Sequence, residues 1–121
     1  MNRRIIAAVS DMLFASKIRG TAQHLNVSVD FARTEDGLFD AAKTDVPSLI
    51  LLDLHDTRLD PFALAARLKA DEQLRAVPLV AFFSHVETEL GRRAQQAGVD
   101  HVLPRSVFTR RLAEILGGDF K

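Results

Sequence analysis

Leu49-Ile50-Leu51-Leu52-Asp53-Leu54 is the stretch on which the fold turns. Its side chains are apolar on both faces of an extended chain, apart from one carboxylate. A strand of that kind belongs inside a sheet covered by helices on both sides. Two further runs read the same way, Ile5 to Val9 and Leu79 to Phe83. Val27, Val29 and Phe31 alternate with polar residues, as in a more exposed strand. His101 to Leu103 is a short last strand.

The segments between these runs carry helical signals. Asp11 to about Leu25 places Phe14, Ile18, Ala22 and Leu25 on one stripe, with Asn26 as a residue able to end the helix in the left-handed conformation. A second helix spans about Asp36 to Lys43. Asp60-Pro61 supplies an N-cap followed by proline at the first helical position, opening a helix that fades near Asp71. Ser84-His85-Val86-Glu87 has capping-box spacing ahead of a helix to about Ala97, which Gly98 ends. Ser106 reads as the cap of a final helix carrying Phe108, Leu112 and Ile115, ended by Gly117-Gly118. Five strand–helix units predict an α/β fold, a parallel sheet with helices on both faces. Ligand chemistry in such sheets gathers at the carboxyl ends of the strands.

Composition bounds the function. The chain has 121 residues, sixteen basic and sixteen acidic side chains, and no cysteine. This length predicts one domain over residues 1–121, with a core that needs no staples. Charge balance argues against general binding to a nucleic-acid backbone. The absence of cysteine removes disulfides, thiol nucleophiles and Cys-type zinc sites. The apolar run Ile5–Val9 stops at Ser10-Asp11, too short for a signal peptide, and no stretch approaches the roughly 18 apolar residues of a membrane span. The expectation is a soluble, cytoplasmic protein with no membrane contact.

Two carboxylates stand at strand ends, Asp53 and Asp11. If their strands are neighbours, both meet at one crevice, and two hard oxygen ligands plus waters are a minimal Mg²⁺ site. The plainer reading is that Asp53 caps a loop and Asp11 caps a helix. Spacing alone weighs the two readings evenly.

The order of units, with Asp53 ending the third strand, resembles the receiver domain of two-component response regulators. So do the connections Asp71-Glu72-Gln73-Leu74-Arg75-Ala76-Val77-Pro78 and Ala97-Gly98-Val99-Asp100. The likeness covers nearly the whole chain. It implies a flavodoxin-like (βα)5 three-layer sandwich with strand order 2-1-3-4-5. It also implies a phosphoryl acceptor at Asp53 and Mg²⁺ held by Asp11, Asp53 and the main-chain carbonyl of His55.

Several positions depart from that pattern. The acidic pair after the first strand is Ser10-Asp11. The Ser or Thr that ends the fourth strand is Phe83, with Ser84 one position late. The Lys after the fifth strand is Arg105, followed by Ser106 rather than Pro. A gapped match would place Pro104 on that Pro and Leu103 on the Lys; the ungapped match keeps Val99-Asp100 in step. The aromatic that many receivers use as a switch is Val102. Fewer carboxylates weaken a Mg²⁺ site, and Phe cannot donate a hydrogen bond to a phosphoryl oxygen. Ser84 and Arg105 remain as candidate phosphoryl contacts.

The resemblance therefore implies a stand-alone signalling protein, not an enzyme, that acts by docking to a histidine kinase, phosphotransfer protein or downstream target. In one version Asp53 accepts phosphate with Mg²⁺; in the other the crevice is degenerate, a pseudo-receiver, and the surface is read without phosphate. The joint departures at Ser10, Phe83 and Val102 favour the second. Arg92, Arg93, Arg110 and Arg111 lie where receivers present their output surface. They read as either a solvated face or a docking patch for an acidic partner. The rival is a small flavodoxin-like enzyme or nucleotide-binding module. It lacks support because Ser10-Asp11-Met12-Leu13-Phe14 contains no glycine-rich phosphate loop. The four histidines, His24, His55, His85 and His101, show no ligand spacing.

Overall fold

Continuous apolar runs become the middle of the sheet. In the computed structural model, which describes residues 3–84 and 88–119, β1 (Arg4–Ala8), β3 (Leu49–Asp53) and β4 (Leu79–Phe83) lie side by side, flanked by β2 (Ser28–Phe31) and β5 (His101–Pro104). All pairings are parallel, and the order is β2-β1-β3-β4-β5. The flavodoxin-like expectation holds. Every residue of β3 and β4 is buried, whereas the edge strand β2 alternates between exposed and half-buried positions.

The helices are α1 (Met12–His24), α2 (Glu35–Thr44), α3 (Pro61–Ala70), α4 (Thr88–Gln96), α5 (Arg105–Arg110) and α6 (Leu112–Leu116). They sort into two layers by strand parity. Ile5, Ala7, Leu49, Leu51, Val80 and Phe82 face Ile18 and Ala22 of α1 and Phe108, Leu112, Ile115 and Leu116 of α5 and α6. Ile6, Ala8, Ile50, Leu52, Leu79, Ala81 and Phe83 face α2, α3 and α4. Asp53 pairs in register with Phe82, so it continues the α1/α5 face. On that face the rings of Phe14, Phe82 and Phe108 stack, the last two with centroids 4.4 Å apart.

Local chemistry sets the boundaries. Asp60 accepts from the Phe62 and Ala63 amides ahead of Pro61, which opens α3 as expected. Asn26 takes φ 57° just after α1. Leu25, expected on the same stripe as Ile18 and Ala22, is instead exposed at the C-cap, where the backbone has left the helical conformation. The second helix starts at Glu35, capped by Thr34, one residue before the expected start. Lys69 of α3 donates to the carbonyls of Arg75 and Val77 and to Asp100, whose carboxylate also accepts from the Leu79 amide. That cluster binds the entries to β4 and β5 to one helix.

Two expectations at the late helices need correction. Ser106 does not cap the last helix: α5 starts at Arg105, directly after Pro104, so Ser106 already lies in the first turn. The single expected helix is also interrupted at Arg111, with φ −102° and ψ 14°. The i to i−4 bonds continue on either side, from Arg111 to Val107 and from Ile115 to Arg111. The capping box at Ser84-His85-Val86-Glu87 falls largely on residues 85–87, outside the described residues, as does His85. Among the described residues no helix is long and apolar enough to cross a membrane.

Candidate functional site

Because β1 and β3 are neighbours, the residues after them share one crevice at the carboxyl ends of the strands. Asp53 is 2% exposed, and its Oδ1 accepts from the main-chain N–H of His55 at 2.9 Å. Burial pushes its carboxyl above the ordinary range; the His55 N–H and the charge of Arg105 offset this only in part. Asp11 caps α1, its Oδ1 accepting from Phe14 N at 3.1 Å. Its Oδ2 lies 3.5 Å from Arg105 Nη2. Both capping roles weighed from the spacing are therefore real, and Arg105, which reaches Asp11, also acts on the Asp53 carboxyl.

Arg105 leaves α5 at its first residue, and its guanidinium sits over the Phe14 ring, 4.8 Å from the centroid, while reaching Asp11. Leu103 packs against the α1/α5 core instead. The crevice cation is thus Arg105. Phe83 turns to the opposite face of the sheet, where its ring lies against Gly91: a Cβ there would meet two ring carbons at 3.1 Å. Val102 lines a groove of about 240 Å³ with Phe83, Thr88, Gly91, Arg92 and Gln95. Ser84 contributes its main-chain N–H, which donates to Nε2 of the His55 imidazole at 3.0 Å. That bond fixes His55 with Nε2 as acceptor.

The loop after β3 holds a residue that sequence reasoning missed. Asp56 is 1% exposed. Its Oδ1 accepts from the main-chain and Nε donors of Arg58, and its Oδ2 from Nη2 at 2.9 Å. Burial works against its charge, but the bonds from Arg58 prevail and hold the carboxyl below the usual range. An Asp two residues before an Arg was the only signal available, and that spacing is common in exposed turns.

The donor set fits Mg²⁺ poorly. Of the two acidic side chains, Asp11 is engaged by a helix cap and a guanidinium, and Asp53 accepts one main-chain amide on Oδ1. No group of three or more His, Asp or Glu able to hold a metal ion occurs among the described residues. A hexacoordinate ion would have to be held mostly by main chain and water.

The late arginines are mostly engaged within the chain. Arg92 pairs with Glu89, Arg111 with Glu114, and Arg93 lies over the Phe62 ring, 4.1 Å from its centroid. Arg110 is exposed at the end of α5.

Burial of the Asp53 charge makes a prediction. A carboxyl whose folded pKa is raised contributes stability below its unfolded pKa and loses it as pH rises through the folded value. Asp53→Asn removes that loss and can still accept from His55 N. A gain of about 1 kcal/mol in unfolding free energy is expected at pH 7, shrinking to nothing near pH 4, read by urea titration at both. An equal gain at both pH values would mean that charge burial is not its source.

No family model and no curated protein matches the sequence. Solved structures do match in shape. The chemotaxis response regulator CheY4 of Vibrio cholerae superposes with a TM-score of 0.83 at 13% identity, covering 99% of this chain and 100% of that one. The receiver domain of a sensor histidine kinase from Pseudomonas aeruginosa, with a magnesium ion coordinated in its active site cleft, gives 0.83 at 20% identity over 96% and 95%. The signal receiver domain of a histidine kinase from Syntrophus aciditrophicus gives 0.82 at 17% identity over 95% and 87%. With its five parallel strands in the order 2-1-3-4-5 and Asp53 closing the third, this chain has the fold of the response-regulator receiver domains.

Proposed function

We propose that this is a receiver-like module of two-component signalling that works by docking to another protein and is read without phosphate. The observation that carries this reading is that the crevice groups are already engaged with one another. Arg105 holds Asp11, His55 holds the Ser84 N–H, and Phe83 turns away beneath α4. A phosphoryl group on Asp53 would need positioned donors and a metal to spread its charge; the Ser84 N–H is taken by His55, Asp11 is engaged by Arg105, and Phe83 has no side-chain hydrogen to donate. The site carries no enzymatic chemistry in this reading. Its output is a surface, and Arg110, beside the Arg111–Glu114 pair, offers an acidic partner a rim of positive charge.

Incubation with acetyl phosphate and Mg²⁺, followed by intact-protein mass spectrometry, is expected to give no mass gain of one phosphoryl group. Stoichiometric labelling that Asp53→Asn abolishes would overturn the phosphate-independent reading in favour of a phosphorylatable receiver. Reversing Arg110 and Arg111 to Glu is expected to reduce capture of a histidine kinase or phosphotransfer partner at least tenfold; unchanged capture returns both to a solvated face.

A further inference from the structure

His55 is exposed, yet its imidazole is not idle. Its main-chain N–H donates to Asp53, and its Nε2 accepts from Ser84 N–H, the first main-chain amide beyond β4. One residue therefore bridges the ends of β3 and β4 across the mouth of the crevice. An oxyanion entering beside Asp53 would need donors, and outward-facing main-chain N–H groups at strand ends are the preorganised ones. An amide has one hydrogen to give, and here an imidazole nitrogen takes it.

We propose that the His55 side chain is an autoinhibitory plug, holding the Ser84 N–H so that a tetrahedral oxyanion attached to Asp53 cannot use it. The inference rests on reading the Asp53 crevice as a receiver-type site. It adds that the crevice is kept shut by one removable side chain as well as by missing ligands. Removing the imidazole leaves the fold intact, since His55 is exposed and its bond to Asp53 comes from the main chain, which any residue but proline supplies.

The test compares the chain with His55→Ala by amide NMR, using beryllofluoride in magnesium buffer as the stand-in for a phosphoryl group. Before any ligand is added, the Ser84 amide proton should move upfield in the variant as its bond is lost; an unmoved Ser84 amide overturns the plug. On titration, His55→Ala should bind beryllofluoride roughly tenfold more tightly than the parent, with Ser84 among the amides that shift most. Equal affinities, or silence in both proteins, overturn it. The outcomes separate this inference from the one beneath it. Silence in both ends the plug and leaves the phosphate-independent reading standing. Firm binding by the parent with tighter binding by the variant keeps the plug and ends that reading.

Discussion

Phe82→Ala is expected to lower the unfolding free energy by about 3–5 kcal/mol. The ring is fully buried on the α1/α5 face and packs against Phe14 and Phe108 at once. Nothing nearby can close the gap cheaply. The sheet backbone is fixed by β3 on one side and β5 on the other, and Phe108 is itself anchored among Leu112, Ile115 and Leu116. Part of the cost is lost transfer energy, part the cavity, and part the lost stacking contacts. Urea titration should show a lower midpoint at unchanged slope. A loss under about 1 kcal/mol would mean that the Phe14–Phe82–Phe108 stack is not a rigid part of the core. Because Phe14 also lies beneath Arg105, the variant should loosen the crevice cation as well, seen as a shifted Arg105 side-chain resonance.

Arg58→Ala has the next largest expected effect. It removes two of the three donors to Asp56 and leaves a nearly inaccessible carboxylate with only the main-chain N–H of residue 58. Removing one partner of a buried ion pair is costly, but Arg58 itself is partly open to solvent, so about 1–3 kcal/mol is expected. The sign with pH follows from the lowered Asp56 carboxyl. Its contribution is present above the unfolded pKa of about 4 and is lost as pH falls through the folded value. The gap between parent and variant should therefore be widest near neutrality and close as pH drops below about 4. Thermal melts at pH 7 and pH 3 decide this, and a gap of equal size at both would place the role of Arg58 in packing.

The sequence made the architecture readable because the central strands are buried on both faces. Leu49 to Leu52 and Leu79 to Phe83 have no polar face to hide in, so their runs are continuous. Caps were legible where one residue does the work, as with Asp60 and Asn26. The interruption at Arg111 was not, because Phe108, Leu112 and Ile115 keep helical spacing straight through it and no glycine or proline marks it. In the crevice, Asp53 announced itself as a lone charge in an apolar strand. The bond from Ser84 to His55 joins residues far apart in the chain, and only the pairing of β3 with β4 brings them together. Asp56 looked like any loop acid, since burial of a turn residue leaves no periodic trace. The arginines of the late helices counted as a cluster in the sequence, but Glu89, Glu114 and Phe62 absorb most of them.

The parity of β4 has a consequence for transmission. Phe82 shares its face with Asp53, and the next residue, Phe83, shares its face with α4. The crevice and the groove beneath α4 therefore look out from opposite sides of one sheet. Among the described residues, the two buried clusters have no member in common. Among the described residues, an event at Asp53 reaches toward α4 through the His55 imidazole on the Ser84 N–H and through the β4 backbone itself. With β3 and β5 paired along both edges, that strand is poorly placed to move.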